Sequence, residues 1–253
     1  MPDYSDKKYE KELTFDLPIN VNGLDLYPVK LKDYLDFMLS IHVFRLNKNE
    51  INPLFISMTY LDFLVHMLKS ENELGMIYKF MLFKCLSLAV NNPDLMISYG
   101  KDEYSKTYIK IGDVTLNSKE FDEIRDIILF QNLPNFHEEN IKDADLRKDL
   151  EEYARLMNKG KKWASLEKQI ISVQMGTSLP LKYIYQMTIR KFILTLELTD
   201  RKLHYIIYKT ASMSGMVKFE KDIDHYLVEQ SSGIEDRVVD ADSFVNKIQS
   251  TKL

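Results

Sequence analysis

Two side chains that can exchange a proton lie four residues apart in the stretch from Thr188 to Phe219. Because Asp200 and His204 have helical spacing, a helix would bring the carboxylate and the imidazole to the same side. Such a pair can act in acid–base catalysis, or bind a metal together with a third ligand. No third ligand candidate lies close by in the sequence. Asp200 also falls inside the apolar stripe of the predicted helix, where a carboxylate needs a partner. A structural role is therefore the simpler interpretation: a buried pair with His204, or a salt bridge to a basic residue across a packed interface.

Four other side chains could also do chemistry. Ser165 and Lys168 match the S-x-x-K pattern of penicillin-binding enzymes, but the companion S-D-N and K-T-G elements are missing. Ser165 is explained equally well as the cap of a following helix. Cys85 lies in an apolar helix and is expected to be a small core residue. His66 falls on the polar face of its helix, where we expect it to be exposed.

The sequence contains none of the common nucleotide or metal motifs. It has no G-x-x-x-x-G-K-[ST] loop, no G-x-G-x-x-G, no H-E-x-x-H and no C-x-x-C, and its five histidines are scattered. We therefore predict no catalytic residues, no metal site, no cofactor and no enzymatic activity.

Composition narrows the possible partners. The 253 residues are 45% hydrophobic and 28% charged with a net charge of −4, which does not favour nucleic acid as a partner. A single cysteine fits a reducing compartment, and residues 1–12 do not resemble a secretory signal. The most apolar run, Met76–Val90, contains Lys79 and Lys84 and predicts a buried core helix rather than a membrane span. We expect a soluble, intracellular protein.

Local patterns predict a mainly α (α+β) fold. Extended segments at Leu13–Leu17 and Leu24–Val29, around the Asn22-Gly23 turn, suggest a short hairpin. Helices are predicted at Leu31–Leu46, Leu54–Lys69 and Met76–Val90, followed by a small three-stranded antiparallel meander with a turn at Gly112-Asp113. Asn117 and Glu120 form a capping-box pattern that opens a helix to about Gln131.

The chain is expected to divide at Gly160-Lys161-Lys162. The N-terminal helical part with its small β meander would then be 1–160, the C-terminal helical part 161–230, and a polar, mobile tail 231–253. The charged stretch before the boundary has one apolar stripe, which predicts an exposed helix: Leu146, Leu150, Tyr153 and Met157. Helices at Leu166–Met175 and from Pro180 to about Gln186 precede a long one.

The long helix is predicted to run from Ile189 to Met213, capped by Thr188 and uninterrupted before Gly215, for a length of about 37 Å. One side carries a stripe expected to face the core: Ile189, Phe192, Ile193, Leu196, Leu203 and Ile207. The nearly opposite patch is the predicted partner surface, to which the methionines at the helix exit can add: Leu194, Leu198, Tyr205, Met213 and Met216. A helix that is apolar on two sides suggests a homo-oligomer or a protein partner.

Several stretches together resemble one known family. Around the long helix these are WASLEKQI, IYQMTIRKF and LHYIIYKTASMSGMVKFEKDIDHYL. Earlier in the chain they are LPINVNGLDLYPVKLKDYLDF, MTYLDFL and YIKIGDVTLNSKEFDEIRDIILFQN. In these stretches, the chain up to about Leu227 resembles in sequence the tail assembly chaperone-like proteins of tailed phages and prophages of Gram-positive bacteria.

The resemblance implies a non-enzymatic, mainly helical protein of phage morphogenesis. Such chaperones bind the tape measure protein, keep its apolar helices from aggregating, and recruit tail tube subunits in the host cytoplasm. The family has no catalytic residues to place on this sequence. Two alternatives stay open: a structural component of the virion, such as a neck, tail or baseplate adaptor, and a small hydrolase that uses Asp200 and His204.

Overall fold

Helices and short strands make up the described part of the chain. The computed structural model describes residues 8–51, 55–69, 73–134, 136, 164–214, 219 and 223–228. In chain order its elements are α1 (Glu10–Phe15), β1 (Ile19–Val21), β2 (Leu24–Leu26), α2 (Tyr34–Ser40), α3 (Lys48–Ile51), α4 (Tyr60–Leu68), α5 (Glu73–Val90), β3 (Ile97–Lys101), β4 (Thr107–Ile111), β5 (Val114–Asn117), α6 (Ser118–Asn132), α7 (Leu166–Thr177), α8 (Leu181–Ile184) and α9 (Ile189–Met213). The predicted mainly helical α+β class with a small antiparallel meander is confirmed.

The chain forms two compact units, Met1–Leu196 and Glu197–Leu253. The division falls within α9, which begins in the first unit and ends in the second. Three predictions lie outside the described residues and stay predictions: the boundary at 160–162, the exposed helix at 141–157 and the mobile tail at 231–253.

The first hairpin is shorter than predicted and starts later. Asn22 and Gly23 both take positive φ, at 51° and 85°, as a type I′ turn requires, and the strands pair Ile19 with Leu26 and Val21 with Leu24. The predicted extended segment Leu13–Leu17 is wrong, because residues 10–15 form α1, which ends at a left-handed Asp16. The alternation of buried and exposed residues needed for a strand begins only after Pro18.

The next two helices also differ in their bounds from those predicted. The segment expected to be one helix at Leu31–Leu46 is divided into a 3₁₀ turn at Leu31–Asp33, α2, and a second 3₁₀ turn at Ile41–Phe44. The helix predicted from Leu54 begins at Tyr60 instead. Its cap is Thr59, whose side chain accepts a hydrogen bond from the backbone N–H of Asp62.

The meander and the helix after it follow the sequence signals closely. Gly112 takes a φ of 58° in the turn that joins β4 to β5, and β4 pairs antiparallel with both neighbouring strands. The capping box is formed by both of its predicted members: the Asn117 side chain accepts from the N–H of Glu120, and the Glu120 carboxylate accepts from the N–H of Asn117.

The main core of the first unit lies among α4, α5, α6 and the two small sheets. Its largest fully buried side chains are aromatic: Phe37, Phe44, Phe63 and Phe121. The Phe44 and Phe121 rings meet edge to face, with centroids 5.9 Å apart. A second, smaller cluster contains Leu31, Val173, Ile184 and Phe192, and it joins α7, α8 and α9.

α5 is covered on one side only. Leu82, Cys85 and Leu86 are buried, as the prediction of a core helix requires. Met76 and Phe80, on the opposite side, are more than half exposed. The prediction of a buried core helix therefore holds for half of its circumference. No helix in the described residues is long and apolar enough to cross a lipid bilayer.

Polar side chains at the end of α6 tie the core to the loop after β2. Asn132 is fully buried; its Oδ1 accepts a hydrogen bond from the N–H of Val29 at 2.8 Å, and its Nδ2 donates to the Ile128 carbonyl at 2.9 Å. The amide of Gln131 donates to the Leu26 carbonyl at 3.2 Å. These bonds hold residues 26–29 against α6.

Replacing Asn132 by alanine should destabilise the first unit. The buried Val29 N–H would lose its acceptor, so we expect the free energy of unfolding to fall by about 1–3 kcal/mol. Urea denaturation followed by circular dichroism measures the change. Asn20→Ala, which removes an exposed side-chain bond to Asp25, is the matched control and should cost less than about 0.5 kcal/mol. Equal costs in the two variants would contradict the role given to Asn132.

Asp122 places a carboxylate at the start of α4. Its Oδ2 accepts from the N–H of Tyr60 at 3.3 Å, while its buried Oδ1 has no hydrogen-bond partner among the described residues. Burial raises the pKa of this carboxyl, and the backbone N–H groups of Tyr60 and Leu61 and the charge of Arg125 offset part of that rise. The folded state therefore binds the Asp122 proton more tightly than the unfolded chain does.

The raised pKa predicts a pH-dependent gain in stability for Asp122→Asn. In the wild type, the pKa of the Asp122 carboxyl is higher in the folded state than in the unfolded chain. The stability of the wild type therefore falls as pH rises from the ordinary aspartate range through the raised pKa. The variant lacks this loss, and its stability relative to wild type should increase from about pH 4 to pH 7. Denaturant midpoints across this range test it. Asp113→Asn, which removes a carboxylate at an exposed turn position, is the control for the loss of one negative charge.

Candidate interaction surface

The first turn of α9 is firmly attached to the first unit. The Ile189 N–H donates to the Val29 carbonyl at 2.8 Å, and a β-bridge joins Lys30 to Thr188. Ile189 and Phe192 are buried, and Thr188 caps the helix by accepting from the Lys191 N–H at 3.3 Å. The helix therefore begins at a defined position and with a defined rotation.

Two basic side chains strengthen this attachment. Arg190 is buried, and its guanidinium donates to the Phe130 carbonyl at 2.8 Å. The Lys191 ammonium lies 2.8 Å from the Asp16 carboxylate and donates to the Thr14 carbonyl at 2.9 Å. Arg190 thus connects α9 to α6, and Lys191 connects it to α1.

The second unit contains an exposed apolar stripe along α9, which we call the α9 seam. Its four members are between 48% and 87% exposed: Leu203, Ile206, Ile207 and Met213. Leu203, Ile206 and Met213 have the three–four spacing of coiled-coil core positions, with Thr199 and Thr210 at the two remaining places of the pattern. Such a stripe is suited to receiving another helix.

The other side of α9 is partly covered by the second unit itself. The ring of Tyr205 lies 5.1 Å from that of His225 and 5.9 Å from that of Tyr226, measured between centroids. Arg201 donates a hydrogen bond to the Val228 carbonyl. Tyr208 packs near Phe219 with a centroid distance of 5.7 Å. None of these contacts, all between described residues, involves a side chain of the seam.

The burial of side chains on the two apolar sides of α9 therefore differs from the prediction. Of the predicted core stripe, Ile189 and Phe192 are buried and Ile193 and Leu196 are half-buried, whereas Leu203 and Ile207 are exposed. Of the predicted partner patch, Leu194 and Tyr205 are half-buried, and Leu198 and Met213 are exposed. Met216 lies outside the described residues. Sequence periodicity located both apolar sides but not the side that the chain itself covers.

Asp200 and His204 form a pair at the surface. The Nδ1 atom of His204 lies 3.7 Å from Oδ2 of Asp200, and the side chains are 58% and 70% exposed. The predicted burial of this pair is thus not found in the single chain. His204 also stacks on Tyr208, with ring centroids 6.0 Å apart. Within the described residues, no group of three His, Cys, Asp or Glu side chains could hold a metal ion.

The other candidate chemical groups have structural positions. Ser165 caps α7 by accepting from the Lys168 N–H at 3.4 Å, which accounts for the S-x-x-K pattern. Cys85 is fully buried, and burial raises the pKa of its thiol, which keeps the sulfur protonated and unreactive. His66 is exposed as predicted, 5.1 Å from the ring of Phe55.

Comparison of the chain with models of protein families, with curated proteins and with solved structures finds no match.

The exposed Asp200–His204 pair should contribute little to stability. Because both side chains are in water, Asp200→Asn should change the free energy of unfolding by less than about 0.5 kcal/mol. Thermal or urea denaturation at several protein concentrations is the measurement. A loss of more than about 2 kcal/mol would instead indicate that the carboxylate is buried in an assembled form.

Proposed function

We propose that this chain is a non-enzymatic tail assembly chaperone of a tailed phage or prophage. In this proposal it binds the tape measure protein and tail tube subunits in the host cytoplasm during assembly. Two observations support the proposal. One is the sequence resemblance to this family, which extends from Leu17 to Leu227. The other, which carries the most weight, is the α9 seam, a helix surface whose apolar side chains are exposed.

The seam suits a helical client. A client helix with apolar residues at three–four spacing would pack along Leu203, Ile206 and Met213 and remove their exposed surface from water. Long apolar helices aggregate when such stripes stay exposed, so covering them is the physical task of the proposed chaperone. The threonines within the seam reduce its apolar area, which favours a client that can be released.

The edges of the seam carry charge that can orient a client. Lys202 and Lys209 lie along one edge, seven residues apart and both exposed, and Asp200 lies along the other. Acidic residues on one flank of a client helix would pair with the two lysines. Client binding through this surface should therefore weaken as salt concentration rises.

A double substitution in the seam tests the proposal. Leu203→Glu with Ile207→Glu places two carboxylates on an exposed surface, so the fold should be retained while client affinity falls at least tenfold. The assay co-expresses the chain with the tape measure protein of a tailed phage of a Gram-positive bacterium. It then measures the soluble, co-purifying fraction of that protein.

Tyr104→Glu is the matched control, since Tyr104 is 81% exposed in the turn between β3 and β4. It should behave as the wild type does. Unchanged co-purification with the seam variant would contradict the assignment of the surface. Sedimentation of mature particles distinguishes the alternative of a virion structural component: the proposed chaperone is absent from them, whereas a neck, tail or baseplate adaptor would be present at fixed stoichiometry.

A further inference from the structure

A second exposed apolar surface lies on the first unit, where α2 and α5 reach the solvent. Six large side chains on these helices are between 38% and 70% exposed, and we call them the α2–α5 patch: Leu35, Leu39, Met76, Ile77, Phe80 and Phe83. The patch consists of residues of the first unit only, whereas the α9 seam belongs to the second.

An ion pair joins the two helices that carry the patch. Lys84 of α5 lies 2.8 Å from the carboxylate of Asp36 in α2, which joins the exposed sides of both helices. Leu35 and Leu39 flank Asp36 along α2, and Phe80 and Phe83 lie within one turn of Lys84 along α5. Exposed apolar side chains of both helices therefore lie beside the ion pair that joins them.

The backing of the patch is rigid. Directly beneath it, Phe37 and Ile41 of the α2 segment and Leu82 and Leu86 of α5 are buried in the main core. The exposed side chains are thus fixed by packed helices, which lowers the entropy that is lost when a partner binds. A preformed apolar surface of this kind is typical of a lasting interface.

The size of the patch corresponds to the apolar centre of a dimer interface. If each large side chain offers about 150–200 Å² when fully exposed, the six together present roughly 600 Å². The largest apolar patch on a typical monomer is about 300–600 Å², and a stable interface of ordinary size buries about 800 Å² per partner. The patch with a surrounding rim meets that requirement.

Its charges favour a second copy as the occupant. The charged side chains of α2 and α5 are two acids, Asp36 and Glu73, and two bases, Lys79 and Lys84, so they balance. A partner selected by charge would require an excess of one sign, which this surface does not have. Two identical neutral surfaces can pair about a twofold axis without net repulsion, and homodimer interfaces are the more apolar class.

We propose that the chain forms a homodimer through the α2–α5 patch of each subunit. The two copies pair isologously, so that α2 and α5 of one subunit lie against α5 and α2 of the other. No residue of the α9 seam belongs to the patch. This inference does not depend on the proposed chaperone function.

Multi-angle light scattering of the full chain after size-exclusion chromatography tests the dimer. The expected molar mass is twice the monomer mass of 29.8 kDa at micromolar concentration. Phe80→Glu should halve it, because a carboxylate would be buried without a partner in each subunit. Leu39→Glu, on α2, should also halve the molar mass. It tests the same interface independently, in case the Phe80 variant does not fold.

Tyr104→Glu is again the control and should stay dimeric; circular dichroism checks that every variant is folded. A wild type that is monomeric up to about 100 μM would overturn the proposal, since this concentration corresponds to a weak dissociation constant. A dimer that survives both Phe80→Glu and Leu39→Glu would also overturn it. The seam variant Leu203→Glu/Ile207→Glu should remain dimeric, so failure of the dimer and failure of the chaperone function give different results.

Discussion

The attachment of the first turn of α9 is the constraint that fixes where the long helix begins in the first unit. Burial of Ile189 and Phe192, the backbone bond to Val29 and the bond from Arg190 to the Phe130 carbonyl set the rotation of the helix at its start. Because each residue turns the helix by about 100°, residues three or four apart share a face along the whole helix, whatever the rotation at its start. Leu203, Ile206 and Met213 form one stripe because of this spacing. The exposure of this stripe depends on the packing of the second unit alone.

Several features could be predicted from the sequence because short-range chemistry determines them. The bounds of α9 follow from a threonine cap, a long stretch free of proline and glycine, and good helix formers between them. The capping box at Asn117 and Glu120 and the turns at Asn22-Gly23 and Gly112-Asp113 require only neighbouring residues. The small meander then follows from the alternation of its strands.

Other features depend on distant parts of the chain and could not be predicted in this way. α5 is apolar on all sides, so periodicity offers no means of telling its covered side from its open side. The position of α2 between two 3₁₀ turns reflects the packing of Phe37, Ile41 and Phe44 into the core rather than any break in local helix preference. Asp200 falls within an apolar stripe and was expected to be buried, yet its side chain is 70% exposed. Asn132 gave no sequence signal at all, since its partner, Val29, is 103 residues away.

The two uncovered surfaces have different physical characters, and the difference bears on what each can do. The α9 seam is narrow, is interrupted by Thr199 and Thr210, and has lysines along one edge, so a helix bound there would gain limited apolar burial and a salt-sensitive attraction. The α2–α5 patch is broad, aromatic and balanced in charge, and it lies on a packed core. A chaperone must release its client but can remain associated with copies of itself. The proposed functions therefore assign the weaker, charge-edged surface to exchange and the stronger, neutral one to assembly.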